Sequence, residues 1–345
     1  MSQSVPSFIL EQYKKRKLSG SFNGYSMFLD ITGFTSITEK LMSYGKEGAE
    51  ILSGTINRIY DPVIKEIYLR NGYISSFAGD AFTAIFNTSE DIINSAHAII
   101  SIFQKEKHQK TKFGKFSLSA SIGISYGKID WGIVGGENKK NYYYSGDAIK
   151  RCMQSEHLAS SSEIILDSYF LKNLKTSELS LKKIGPNNFK LIPGEFPPAK
   201  IKKKIPVQRK YNPADFLPDS IPVFPSLGEF RNVVSVFVEF RGKNDWKSLN
   251  HFFTQILTKI DKYGGYLNNI EFSPEKKSFS VFWGIPLTYE NILNRALDFS
   301  LSLKDEFKAG IKTGITYGTV YSGFIGSNIR AAYSCIGDLV NLAAR

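Results

Sequence analysis

Cysteine and histidine are scarce in this chain: there are two of the first, Cys152 and Cys335, and four of the second. The two cysteines lack metal-ligand spacing and are too few for a disulfide framework, which points to a reducing, cytosolic setting. Long apolar runs are missing as well. None approaches the roughly 20 residues a membrane span needs, so no spanning segment is expected. Residues 1–20 are polar and basic, without the apolar core of a secretion signal. A cytoplasmic protein is the expectation. Acid is the minority charge, 32 Asp and Glu against 44 Lys and Arg, for a formal net charge of +12. That excess favours polyanionic partners: nucleotides, nucleic acid or an anionic membrane surface.

What is present suits an ordinary globular protein of about two domains: 345 residues, 42% hydrophobic and 22% charged. Two stretches stand out. In Phe28-Leu29-Asp30-Ile31-Thr32-Gly33-Phe34-Thr35 an apolar run over 25–31 takes in one carboxylate and then turns at a glycine. It reads as a buried strand ending in a tight turn before a helix. An acid in such a strand is costly to bury unless it is paired or holds a metal. In Phe77-Ala78-Gly79-Asp80-Ala81-Phe82 the same oddity recurs, at the tip of an expected short hairpin. Two carboxylates on neighbouring strand ends, beside a glycine turn at a helix N-terminus, can hold Mg²⁺ and phosphate together. Two unrelated turn aspartates are the plainer alternative.

In chain order, a basic lead-in over 1–19 precedes the first strand. A helical pattern follows over 38–69, broken around Gly45 and Gly48, then a hairpin over 73–86 and a helix over 91–107. Residues 116–126 and 129–134 read as a strand pair turned at Gly127-Lys128. A helix is expected from Gly146 and a strand over 163–166. Residues 193–225 are rich in proline and lysine and read as a linker. Past it the pattern returns, with a strand over 233–240, helices over 246–263 and 292–307, and between them a hairpin ending at Trp283. Ser121-Ile122-Gly123-Ile124-Ser125-Tyr126-Gly127 matches Lys312-Thr313-Gly314-Ile315-Thr316-Tyr317-Gly318, 191 residues on, and Gly146-Asp147 recurs as Gly337-Asp338 at the same offset. A constant offset across separate motifs argues for duplication. Each half reads β-α-β-β-α-β, so the expected fold is α+β with two tandem ferredoxin-like domains, at 20–194 and 228–345, joined by a linker over 195–227.

The duplicated residues are unequal. Asp30 aligns with Glu239 and Asp80 with Lys277, where a lysine would repel a divalent cation. Conversely, Asn341 and Arg345 in the second half face Lys150 and Gln154 in the first. Complementary losses imply an intramolecular pseudo-dimer with one working site.

At these residues the sequence resembles the class III nucleotidyl cyclases, in particular the tandem-domain soluble, bicarbonate-type adenylate cyclases. The two stretches above and Ile336-Gly337 through Val340-Asn341-Leu342-Ala343-Ala344-Arg345 are that family's motifs nearly as written. The resemblance implies conversion of ATP, with GTP as the alternative, to a cyclic nucleotide and pyrophosphate. Asp30 and Asp80 would bind two Mg²⁺ or Mn²⁺ ions with help from the Ile31 carbonyl. The backbone of Gly33, Phe34 and Thr35 would cradle the β- and γ-phosphates, Asn341 would orient the ribose, and Arg345 would stabilise charge on the α-phosphate. Asn269 and Ser334 stand where relatives read the base. Both are neutral and bifunctional, which leaves base choice open. Where bicarbonate-responsive relatives carry a lysine and an arginine, this chain aligns Ser76 and Met153. Because family members continue past the helix ending at Arg345, further C-terminal sequence is expected. A degenerate, nucleotide-binding cyclase pair remains a second reading. A basic RNA-binding module is a third, but no Lys/Arg-Gly-Phe-type signature is found, so nucleic acid is not expected as a partner.

Overall fold

The computed structural model describes residues 4–137, 139–174, 179–192, 214–217 and 228–345. Most of the expected linker therefore lies outside the described residues. The fold is mixed α+β. In the first half the elements are α1 (Ser7–Lys14), β1 (Ser19–Thr32), α2 (Phe34–Met42), α3 (Gly45–Leu69), β2 (Tyr73–Ala78), β3 (Ala81–Phe86) and α4 (Ser89–Lys105). A small hairpin follows, β4 (His108–Thr111) and β5 (Gly114–Ser117). Then come β6 (Ser119–Gly135), β7 (Lys140–Ser145), α5 (Asp147–Glu156), β8 (Ile164–Asp167), α6 (Ser168–Lys172), β9 (Leu181–Lys183) and β10 (Asn188–Leu191). The second half contains β11 (Glu229–Phe240), α7 (Trp246–Tyr263), β12 (Tyr266–Phe272), β13 (Lys277–Trp283), α8 (Ile292–Phe307), β14 (Ile311–Gly326), β15 (Ala331–Ile336) and α9 (Asp338–Ala344).

The halves share a strand order: β2-β3-β1-β6 in one sheet and β12-β13-β11-β14 in the other. Register repeats as well. Asp30 pairs with Ser121 and Glu239 with Lys312. Leu29 pairs with Phe82 and Val238 with Phe279, so Asp80 and Lys277 occupy matching positions two residues earlier. The duplicated Gly-Ile pair, Gly123-Ile124 and Gly314-Ile315, has a packing cause. A Cβ on Gly123 would lie 2.0 Å from the Cys152 carbonyl of α5, and one on Gly314 would lie 2.1 Å from the Ala343 carbonyl of α9. Only glycine lets each helix lie that close to its long strand.

Several elements differ from the sequence reading. The strand pair expected to turn at Gly127-Lys128 is one continuous strand, β6, whose two ends serve different neighbours: β8 at Ile122–Ile124 and β7 at Asp130–Gly135. The helical pattern over 38–69 is two helices starting at Phe34, and Gly48 sits inside the second. The basic lead-in contains α1, whose Ile9 and Leu10 are buried beside Trp131 and Tyr144.

The two cores exchange residues. Tyr321, Ile325 and Ile336, from the second half, are buried in the cluster built on α3 and α4. Val134 and Tyr143, from the first, are buried in the cluster built on α7 and α8. Trp246 Nε1 donates to the Ile133 carbonyl at 2.8 Å, fixing α7 to β6. Of the tyrosine run on β7, Tyr143 packs into the second half's core, Tyr142 accepts from Arg330 at 2.9 Å, and Tyr144 is buried beside α1. Among the described residues, no helix is long and apolar enough to cross a membrane.

Candidate functional site

The acid pair comes together as the spacing suggested. β1 carries Asp30 near its end, and the β2–β3 turn carries Gly79-Asp80 beside it. Burial raises the Asp30 carboxyl, and burial followed by the nearby Asp30 charge pushes Asp80 up to about 7. Among the described residues neither side chain makes an ion pair. Two half-buried carboxylates that repel each other and form no ion pair among the described residues are an electrostatic deficit that a bound cation would relieve.

The turn is held from below. Tyr60, fully buried on α3, donates its hydroxyl to the Asp80 carbonyl at 2.6 Å. Its ring meets Phe34 at 6.4 Å, Phe82 at 6.3 Å and Phe77 at 6.5 Å. Tyr60 was missed from sequence because it sits among the apolar positions of a long helix and reads as core.

Just past Asp30, Gly33 adopts φ 95°, and a Cβ there would lie 2.3 Å from the Ser117 carbonyl. Glycine is therefore required on two counts. Phe34 and Thr35 open α2, so the unpaired N–H groups of its first turn lie beside the acids. Ile31, whose carbonyl is the expected third metal ligand, is itself buried on β1.

Asn269 and Ser334 line one cavity, with Ser76, Phe77, Tyr142 and Arg330 among its walls. Asn269, expected to be an adaptable reader, is anchored: its Nδ2 donates to the Phe77 carbonyl at 3.3 Å and its Oδ1 accepts from Ser280 at 2.5 Å. The buried Ser334 hydroxyl has no hydrogen-bond partner among the described residues. Met153 is buried against α1. Phe77 connects this cavity to the acids, since Asp80 lies three residues further along the same hairpin.

Asn341 and Arg345 lie on and at the end of α9, which β15 feeds directly from Ser334. Thr316 donates to the Leu339 carbonyl at 2.7 Å and fixes that helix on β14. Arg345 is exposed, and among the described residues no hydrogen bond or ion pair joins it or Asn341 to the acid pair. In the matching place of the second half, Lys277 caps the Gly242 carbonyl and Asn244, and Glu239 is 3.9 Å from Lys312.

A divalent ion fits this donor set. Among the described residues no three His, Cys, Asp or Glu side chains gather into a cage. The two carboxylates and a backbone carbonyl supply hard oxygen ligands and leave positions for phosphate oxygens and water, as Mg²⁺ prefers.

Known proteins resemble this chain in sequence and in fold. The human protein "Adenylate cyclase type 10" is 22% identical over 96% of this chain and 24% of its own length. "Adenylate cyclase, terminal-differentiation specific" from Dictyostelium discoideum is 30% identical over 44% of this chain and 7% of its own length. The chain therefore spans about a quarter or less of these relatives. In fold it is similar to a class III adenylyl cyclase-like ATP-binding protein from Pseudomonas aeruginosa, with a TM-score of 0.60, 10% identity, and coverage of 94% of this chain and 81% of that one. The family model described as "Adenylate and Guanylate cyclase catalytic domain" matches residues 25–204, more than half of the sequence, and the chain belongs to that family.

Proposed function

We propose that the chain converts ATP to cyclic AMP and pyrophosphate at one site between its two halves, arranged as an intramolecular pseudo-dimer of βαββαβ domains. The observation that carries this reading is the acid pair Asp30 and Asp80, charge-deficient beside the Gly33 turn. The exchange of core residues between the halves supports the pairing. The pairing of Glu239 with Lys312, and the hydrogen bonding of Lys277 to Gly242 and Asn244, support a single working site.

Asp30, Asp80 and the Ile31 carbonyl would hold two Mg²⁺ or Mn²⁺ ions. Such ions promote loss of the ribose 3′-hydroxyl proton and neutralise the departing pyrophosphate. The N–H groups of Gly33, Phe34 and Thr35 bind the β- and γ-phosphates with the favourable end of the α2 dipole. Asn341 orients the ribose so that its 3′-oxygen lies in line with the bond to be broken. Arg345 donates to the α-phosphate oxygens as the O3′–P bond forms and the bond to pyrophosphate breaks. Asn269 and Ser334 contact the base.

The test is product identification with ATP or GTP plus Mn²⁺, for the wild type and for Asp30→Ala and Asp80→Ala. Cyclic AMP from the wild type and a loss of at least about 10³-fold in either variant, with unchanged circular dichroism, is expected. Near-normal turnover by either variant at saturating Mn²⁺ would defeat the assignment. Nucleotide binding without any cyclic product would favour a binding module.

A further inference from the structure

The β4–β5 hairpin has no counterpart in the second half. Thirteen residues separate α4 from β6, whereas three separate α8 from β14. The sheet does not require the insert. One of its faces is buried through Gln109 and Phe116, which pair across the strands. The other is exposed, and there Lys110 stands directly opposite Lys115. Like charges paired across strands oppose hairpin formation. Lys105 and Lys107, at the end of α4, and Lys112, at the hairpin turn, are exposed as well. Glu106 is the acid within 105–117, and its carboxylate accepts from Gln109. Lys112 pairs with Glu47, which leaves the other four lysines on the ribbon without an ion-pair partner among the described residues.

We propose that this outer face docks on an anionic phospholipid surface. The chemistry favours lipid over nucleic acid. Residues 105–117 contain no arginine to grip phosphates or guanine edges in a fork. The two aromatics are also withdrawn: Phe113 stacks on Tyr44 at 3.7 Å and Phe116 is buried, so neither offers a base-stacking platform. What remains is a short ribbon of ammonium groups, shorter than two Debye lengths at physiological salt. Such a ribbon suits a plane of negative headgroups, where each lysine strengthens binding about fivefold. With Phe113 stacked on Tyr44 and Phe116 buried, the lysines lead the contact, and the attachment is electrostatic and salt-reversible.

Co-sedimentation of the full chain with vesicles tests this. Binding is expected with vesicles containing about 30% phosphatidylserine and absent with phosphatidylcholine alone. It is lost at about 0.5 M salt. The double variant K110E/K115E is expected to bind at least about 25-fold more weakly with unchanged melting temperature. Failure of the wild type to bind the anionic vesicles overturns the proposal. So does undiminished binding by the double variant, which would move the contact to another basic segment. Tighter binding to single-stranded RNA than to the vesicles, lost in the same variant, would make the ribbon a nucleic-acid surface instead.

Discussion

Ser334 carries a buried hydroxyl that finds no partner among the described residues, while Asn269 beside it is held by Ser280 and Phe77. On the proposed function, base choice falls mainly on one rotatable group able to donate or accept. A pocket that demands a fixed donor–acceptor pattern discriminates by several orders of magnitude, and a rotatable hydroxyl cannot demand one. Wild-type kcat/KM is expected to favour ATP over GTP by about 10–100-fold, and Ser334→Ala is expected to bring the two within about threefold. A wild-type ratio beyond about 10⁴ would mean that other residues read the base. At this scale the sequence was most legible where it broke its own pattern. Asp30 and Asp80 stand out because acids do not belong in apolar runs. The anchoring of Asn269 depends on Ser280, eleven residues away on another strand, and no local pattern reports it.

Among elements, α3 does more than fill the core. Tyr60 ties the Asp80 turn, Phe34 at the start of α2 and Phe77 of the cavity lined by Asn269 to one helix. Tyr60→Phe keeps the ring but leaves the Asp80 carbonyl without that donor, at a cost of about 1–3 kcal/mol. The Mn²⁺ concentration for half-maximal activity is expected to rise about tenfold, with KM for nucleotide little changed and a melting temperature lower by a few degrees. An unchanged metal requirement would show that the turn holds its geometry without Tyr60. The helices α7 and α8 matched their expected limits to the residue. For α7 the cause is local: Asp245 caps it and Gly264 ends it in a left-handed conformation. The long strands β6 and β14 have no such punctuation. Gly127 looks like a turn because glycine punctuates loops, yet the ladder with β1 runs straight through it. The β4–β5 hairpin was invisible because Gln109 and Phe116 are too few inward positions to show an alternation.

For the whole molecule, the exchange of core residues sets the unit of stability. Ile325 lies in the second half of the sequence and is fully buried in the core of the first. Ile325→Ala is expected to cost about 2–5 kcal/mol. The loss should appear in the unfolding of the first half, followed in urea with Trp131 as the single retained tryptophan. An unshifted Trp131 transition would mean that the halves unfold independently.

That exchange also has a schedule. The ribosome delivers Leu191, at the end of the first sheet, roughly 130 residues before Tyr321. At about 5–20 residues per second, the nascent first half spends on the order of ten seconds with the part of its core that Tyr321, Ile325 and Ile336 cover left open. During translation this protein passes through an exposed, sticky intermediate that its finished form conceals. Its yield in a cell will therefore follow chaperone supply and elongation speed more closely than its final stability.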